Sequence, residues 1–113
     1  MIANAIELRR GDLVTVSLPG DYGKPRPGLV IQSDDFSSLP SLTVLPLTST
    51  LFDMPLLRLT ILPDGANGLR RPSQIMIDRV ASLPRAKVGR FIGRIDPKSV
   101  EEAYRALMRF LAK

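Results

Sequence analysis

Three side chains at the ends of short apolar runs could bind an anion. Arg26 stands between Pro25 and Pro27 just before one run, and Thr48 and Ser49 close the next run. A guanidinium presents a planar fork of N–H donors that matches two phosphate oxygens, and neighbouring hydroxyls add short donors. The pattern therefore predicts a phosphate-binding site where these side chains meet. The same residues also fit a solvated loop charge before proline and a turn capped by hydroxyls.

The residue types that are missing narrow the chemistry of such a site. The 113-residue chain contains no Cys and no His. Without them it has no disulfide, no thiolate nucleophile and none of the commonest transition-metal ligands or acid–base side chains. Catalysis would have to use carboxylate, Arg, Lys, Tyr or hydroxyl groups, and we expect no metal and no other cofactor.

The charge balance favours an anionic partner. Sixteen Lys and Arg residues against eleven Asp and Glu give a formal net charge of +5. Nucleic acid and acidic protein segments both suit such a balance, although charge spread along a chain also serves solubility alone. Residues 1–7 lack the basic start and apolar run of a signal peptide, and no apolar stretch approaches bilayer length. We therefore expect a cytoplasmic protein with no membrane contact.

Short strands separated by turn residues should position the three side chains. β-branched and apolar residues bounded by Gly, Pro, Asp and Asn predict strands. They cover residues 13–18, 28–32, 42–47, 57–62 and 75–80, with 91–95 either a last strand or a single turn. Pro46 within the third run predicts a sheet edge or a bulge. The stretch from Pro19 to Pro27, rich in Gly and Pro, predicts a surface loop.

The last part of the chain predicts one helix. Asp96 suits its N-cap and Pro97 its first position. Apolar residues then recur at three- and four-residue steps and form a face to pack on the sheet: Val100, Ala103, Tyr104, Leu107, Met108 and Leu111. We also expect Phe91 and Phe110 to fill the core. The order predicts a mostly β fold with a C-terminal helix, with residues 1–113 as a single domain.

Three stretches resemble the signature motifs of the MazF/PemK (Kid-like) toxins, the ribonuclease halves of bacterial toxin–antitoxin pairs. They are residues 10–16, 26–32 and 46–49, and the resemblance extends over roughly residues 8 to 95. It implies a small SH3-like barrel of the CcdB/Kid/MazF type and a homodimer held inactive by a cognate antitoxin protein. It further implies metal-independent cleavage of single-stranded RNA by attack of a ribose 2′-hydroxyl, leaving a 2′,3′-cyclic phosphate. Mapped residue by residue, the resemblance makes Arg26 and Thr48 catalytic.

Residues near this pair are candidate RNA contacts. They lie in predicted loops or at strand ends: Ser49, Tyr22, Lys24, Phe52, Arg71, Ser73 and Gln74. Exposed aromatic rings can stack on unpaired bases, and basic side chains can hold backbone phosphates. Hydroxyl and amide groups can add hydrogen bonds.

Proton transfer and two rival functions stay open at this point. Arginine keeps its proton at any ordinary pH and is therefore a poor general base, and Asp21 in the first loop is a candidate for that task. Family members often carry an acidic residue beside the Ser73-Gln74 pair, where this chain has Arg70-Arg71-Pro72. A CcdB-like gyrase poison would share the barrel, but such poisons resemble one another in a tail containing Trp, which this chain lacks. A non-catalytic barrel that binds RNA or antitoxin is the other alternative.

Overall fold

The computed structural model describes residues 7–112, within which the chain forms seven β-strands and one α-helix. The strands are Asp12–Val16 (β1), Arg26–Val30 (β2), Ser41–Thr48 (β3), Arg58–Ile61 (β4), Ser73–Met76 (β5), Ala81–Pro84 (β6) and Phe91–Arg94 (β7). The helix α1 is Pro97–Leu111. Residues 1–6, most of the segment used to argue against a signal peptide, lie outside the described residues. None of the helices within residues 7–112 is long and apolar enough to cross a bilayer.

Antiparallel pairing joins the strands into a half-barrel sheet. The order is β4-β5-β3-β2-β1-β7, and β6 pairs with β3 beside this path. The strand β3 is the longest because it serves two partners on one side: residues 41–44 pair with β6, and residues 47–48 pair with β5. The predicted mostly β fold with a C-terminal helix is confirmed.

Pro46 lies inside this sheet, so the prediction of a sheet edge or a bulge was wrong. It pairs with Gly28 of β2 on one side, and it falls between the two segments of β3 that pair with β6 and β5 on the other. A proline has no N–H to donate to a ladder. Pro46 lies where β3 changes partner from β6 to β5, and at this position an interior strand does not need a backbone N–H donor on that side.

The predicted strand over residues 75–80 was also wrong in part. The chain leaves β5 after Met76, makes a 3-10 turn at Ile77–Arg79 and returns as β6. Apolar residues continue through the turn, because the buried Ile77 packs in the core while its N–H donates to the carbonyl of Leu57 (3.0 Å). Hydrophobic periodicity alone therefore cannot mark the break.

Two apolar clusters cover opposite faces of the central strands. In β1, Leu13 faces the cluster that includes the helix, whereas Val14 faces the other cluster. Leu29 and Val30 divide in the same way in β2. Strands buried on both faces have little freedom, so their ends, where Arg26 and Thr48 stand, are held in fixed positions.

The helix begins as predicted but buries a narrower face. An Asp96 oxygen accepts the N–H of Ser99 (2.9 Å) and its second oxygen accepts the Ser99 hydroxyl (2.8 Å). The bond from the Ser99 N–H is the main reason that the pKa of Asp96 lies below its ordinary value of 3.8. Helix residues that pack in the core are Val100, Ala103 and Leu107, whereas predicted members that are exposed are Tyr104, Met108 and Leu111.

Phe91 and Phe110 are both exposed, so the prediction that they fill the core was wrong. Aliphatic side chains from both sheet faces supply the core instead, among them Leu45 and Leu47 of β3. An aromatic residue in a strand or helix carries no information about the face on which it will lie until the register is known.

Candidate active site

Arg26, the first residue of β2, is held by a carboxylate from the preceding loop. Its Nε donates to one oxygen of Asp21 (3.0 Å) and its Nη2 donates to the other (2.8 Å), while Nη1 donates to the carbonyl of Leu47 (3.3 Å). The Arg26 side chain is 31% exposed and that of Asp21 only 11%. A paired carboxylate fixes the plane of the fork and leaves outward N–H groups of Nη1 and Nη2 for an anion.

Thr48 closes β3 next to this guanidinium. Its hydroxyl oxygen accepts the N–H of Thr50 (3.1 Å), which confirms the capped-turn interpretation of the Thr-Ser pair. A hydroxyl that accepts one bond still has its own hydrogen to donate. Because Arg26 bonds to the carbonyl of the residue just before Thr48, the two donors stand at the same place on the sheet.

Two clefts meet at this pair. The first, of about 480 Å³, is also lined by Asp21, Phe52 and Arg58, and we call it the Arg58 cleft. The second, of about 460 Å³, we call the basic cleft; its charged lining residues are Lys24, Arg26, Arg70, Arg71 and Arg90. Arg26 and Thr48 are the two residues that line both clefts. A phosphate bound at their junction would have neighbouring nucleotides in either direction.

The basic cleft has no acidic side chain among its lining residues. One wall of this cleft is formed by Gly68 and Ile92. Gly68 has a φ of +70°, which favours glycine, and a Cβ added there would lie 2.5 Å from the carbonyl oxygen of Ile92. The N–H of Arg90, another lining residue, donates to the hydroxyl of Thr15 (2.9 Å) and connects the segment before β7 to β1. Several positive charges in one concave surface attract a polyanion.

Five of the seven candidate RNA contacts line a cleft. Lys24, Ser49, Arg71 and Ser73 line the basic cleft, where the Ser73 hydroxyl donates to the carbonyl of Arg71 (3.1 Å). Phe52 lines the Arg58 cleft and is exposed. All five therefore line a cleft that also contains Arg26 and Thr48, which agrees with the prediction that they lie near this pair.

Tyr22 lies at the tip of the loop between β1 and β2 and lines neither cleft. Its side chain is 96% exposed, and its φ of +54° is rare for a residue other than glycine. A loop tip that presents an exposed ring in this way leaves it available to a partner.

Gln74 does not fit its predicted role, because it is buried and its amide is used inside the protein. Its Oε1 accepts the N–H of Phe52 (3.0 Å), and its Nε2 donates to the carbonyl of Phe52 (3.0 Å) and to the hydroxyl of Thr60 (3.2 Å). This side chain therefore positions the loop of Phe52 and has no N–H left facing a ligand.

Sequence reasoning missed Arg58 and Arg79 in the Arg58 cleft and Arg90 in the basic cleft. The available signal for Arg58 is its position between Leu57 and Leu59 in the predicted strand, because such alternation places a charged residue on the polar face. Arg79 lies in a 3-10 turn and Arg90 in the loop just before β7, and no local pattern shows which cleft such a residue will reach.

Comparison with known proteins identifies the family. A family model described as the PemK-like, MazF-like toxin of type II toxin–antitoxin systems matches residues 9–111. The chain belongs to this family. It is 44% identical over 105 residues to a probable endoribonuclease MazF of Mycolicibacterium smegmatis, a match that covers 92% of this chain and 96% of that protein.

Solved structures of MazF toxins share the fold. Mycobacterium tuberculosis toxin MazF-mt6 is 27% identical with a TM-score of 0.71, covering 87% of this chain and 93% of that one. A MazE–MazF structure from Deinococcus radiodurans has a TM-score of 0.75 at 21% identity, covering 96% and 98% of the two chains. At that identity the likeness speaks for the fold alone. The expected barrel of the MazF toxins is confirmed, and the family match decides against the CcdB-like alternative.

Proposed function

We propose that this PemK-like, MazF-like chain is the endoribonuclease toxin of a toxin–antitoxin pair and cleaves single-stranded RNA without a metal ion. The observation that carries the proposal is the position of Arg26 and Thr48 at the junction of two clefts. A scissile phosphate at that junction would have one flanking nucleotide in each cleft. The family match and the similarity to a probable endoribonuclease support the activity.

The reaction that suits these residues is an internal transfer. The ribose 2′-oxygen attacks the adjacent phosphorus and forms a 2′-O–P bond, while the bond to the 5′-oxygen breaks. The 2′-hydroxyl loses its proton and the leaving 5′-oxygen gains one. The products are a 2′,3′-cyclic phosphate and a 5′-hydroxyl, so atoms and charge balance without another reactant.

Arg26 and Thr48 stabilise the charge that gathers on the non-bridging phosphate oxygens. Donors fixed before the reaction and shielded from bulk water stabilise a transition state strongly. The nucleophile belongs to the substrate, so the remaining task of the protein is to hold the ribose and the phosphate in line. The structure supplies the rigidity for this through strands buried on both faces.

Asp21 serves in this proposal to orient Arg26. Both of its oxygens accept bonds from the guanidinium, and one also accepts the N–H of Leu18 (3.2 Å). A carboxylate with these partners fixes the fork in place. We therefore change its assignment from candidate general base to positioning residue.

The basic cleft holds the RNA backbone in this proposal. Lys24, Arg70, Arg71 and Arg90 would neutralise successive phosphates, which binds single strands without regard to sequence. Ser49 would add a hydrogen bond in the same cleft, whereas the hydroxyl of the buried Ser73 already donates to the carbonyl of Arg71. The exposed ring of Tyr22 would stack on a base beyond the cleft.

Partners and location follow from the same proposal. We expect a cytoplasmic homodimer that a cognate antitoxin protein inhibits, and residues 1–113 to act as a single domain. The solved relatives include a mycobacterial endoribonuclease in complex with its cognate antitoxin, and the basic cleft suits an acidic antitoxin segment. In support of a single domain, strands β1 to β3 contribute to both apolar clusters.

The test is cleavage of single-stranded RNA in the presence of a chelator, followed by analysis of the fragment ends. We expect fragments with 2′,3′-cyclic phosphate and 5′-hydroxyl ends at an unchanged rate with EDTA. Arg26→Ala should lower the rate by about 100- to 1,000-fold. Arg105→Ala, which removes an exposed charge on α1, is the matched control and should cleave normally. Intact RNA across varied sequences, or full activity in Arg26→Ala, would contradict the proposal.

A further inference from the structure

The Arg58 cleft contains a nearly buried guanidinium that the proposed cleavage chemistry does not use. The Arg58 side chain is only 10% exposed. Its Nη1 donates to Asp78 (2.5 Å) and to the carbonyl of Leu57 (2.9 Å). Within residues 7–112, Nη2 makes no hydrogen bond and is not among the buried unpaired atoms, so it is an open donor in the wall of the cleft.

Holding Arg58 in this position costs stability. Its Nε is buried and has no hydrogen-bond partner within the described residues. A buried polar atom without a partner costs about 1–3 kcal/mol, and an apolar residue of similar size is often as stable or more stable than a buried ion pair. Arg58 also stands opposite Met76 in the sheet, where an apolar side chain would fit. A buried polar atom without a partner, at a position that an apolar residue could fill, is found mostly at functional sites.

Apart from Thr48, whose hydroxyl oxygen already accepts the N–H of Thr50, the open polar side chains of this cleft are donors. Arg79 is exposed and lines the cleft together with Arg58. Asp21, the one acidic side chain among the lining residues, is already bonded to Arg26 and to the N–H of Leu18. A ligand in this cleft therefore meets N–H groups and needs acceptors on its own edge.

An aromatic ring stands beside these donors on a fixed backbone. Phe52 lines the cleft with an exposed side chain, and the Gln74 amide bonds both its N–H and its carbonyl. A ring held in this way offers a flat face at little entropic cost, which suits stacking on a nucleobase. The aromatic ring, the N–H donors and the pair of Arg26 and Thr48 therefore line one and the same cleft.

We propose that the Arg58 cleft is a nucleobase pocket that selects a keto base, guanine or uracil, next to the scissile phosphate. The inference rests on the proposed function for the position of that phosphate. Guanine presents acceptors at O6 and N7, and uracil presents O4, which the guanidinium groups of Arg58 and Arg79 can bind. Adenine and cytosine carry an amino group at the corresponding position, and its N–H would face the N–H groups of the protein unpaired.

The first arm of the test measures base preference in cleavage. The full chain is incubated with RNA of randomised sequence, and the fragment ends are sequenced. We expect a preference of about tenfold for keto over amino bases at one of the two positions flanking the cut. Arg58→Gln and Arg79→Gln should reduce this preference at that position, whereas the control Arg109→Gln on α1 should retain it. If Arg58→Gln fails to fold, the exposed Arg79 still decides the question.

The second arm measures binding without cleavage. Labelled 2′-O-methyl pentamers that differ only in a central G, U, A or C cannot supply the attacking hydroxyl. We expect the G and U pentamers to bind several-fold more tightly than the A and C pentamers, and Arg79→Gln to narrow the difference. Equal binding of all four, or a cleavage preference unchanged in both variants, would overturn the pocket. If the pentamers bind with the keto preference but unmodified RNA is never cut in the first arm, the proposed activity is overturned and the nucleobase pocket is retained.

Discussion

Asp21 accepts hydrogen bonds from Arg26 through both carboxylate oxygens, at 3.0 Å from Nε and 2.8 Å from Nη2. The loop that carries Asp21 is itself braced, because the Asp21 N–H donates to Leu18 (3.0 Å) and the Lys24 N–H donates to Asp21 (3.0 Å). The ion pair therefore fastens this loop to the start of β2. It also fixes the direction in which the remaining N–H groups of Arg26 face.

Asp21→Asn should lower kcat by about 10- to 100-fold, because the Arg26 guanidinium loses the charged partner that fixes its orientation. KM should stay level or fall, since removal of a negative charge beside the phosphate favours RNA binding. Steady-state cleavage of a labelled RNA separates the two constants. Asp21→Glu should recover part of kcat. A raised KM with normal kcat would show that Asp21 serves in substrate binding.

Thr48→Val should cut the rate by about 100-fold, since it removes one donor to the phosphate while keeping the shape of the side chain. It also removes the acceptor for the Thr50 N–H, at a cost to folding of about 1 kcal/mol. Thr48→Ser keeps both functions and should cleave near the wild-type rate. Single-turnover kinetics and urea unfolding of both variants check this. Equal rates for Ser and Val would remove the hydroxyl from the mechanism.

Arg71→Gln should weaken RNA binding equally for all sequences and reduce its dependence on salt. Each phosphate contact to a single strand contributes about 0.7 to the slope of log affinity against log salt. Anisotropy titrations with a 2′-O-methyl oligonucleotide at several salt concentrations give this slope. Glu101→Gln, which also changes one exposed charge but lies on α1, is the control. An unchanged slope would place Arg71 outside the RNA path.

Asp96→Ala should lower the free energy of unfolding by about 1 kcal/mol at pH 7, because the helix loses its N-cap. The pKa of Asp96 is lowered in the folded chain, mainly by the Ser99 N–H. The carboxylate therefore stabilises the fold fully above the ordinary pKa of 3.8, and this stabilisation is lost as pH falls through the lowered value. Urea unfolding at pH 7 and pH 3 should show the difference shrinking in acid. The exposed Asp35→Ala should show little effect at either pH.

Local sequence signals were sufficient to predict the structure wherever a residue type has a single geometric role. Asp96 followed by Pro97 marks the start of a helix because the Asp96 carboxylate accepts the free N–H of Ser99, whereas Pro97 has no N–H that could be left unpaired. The Asn67-Gly68 pair is a second local signal of this kind, because Gly68 adopts the positive φ that glycine allows. Such patterns act within a few residues and do not depend on the rest of the fold.

Long-range pairing decided the features that the prediction missed. The strand β6 was not predicted because residues 81–84 become a strand only through pairing with the first half of β3. Gln74 looks like a surface amide in sequence, yet it is buried because β5 lies between β3 and β4. A side chain in a central strand is covered by neighbours that are distant along the chain.

By itself, the sequence determined the element types, the helix cap, the basic balance, the family resemblance and the candidate pair of Arg26 with Thr48. Only the tertiary structure decided that this pair stands where two clefts meet, that Asp21 grips the guanidinium, and that Arg58 and Arg90 join the site. The physical reason is distance along the chain. Capping and periodicity act between near neighbours, whereas a cleft is formed by strands and turns that sheet pairing brings together from the whole chain.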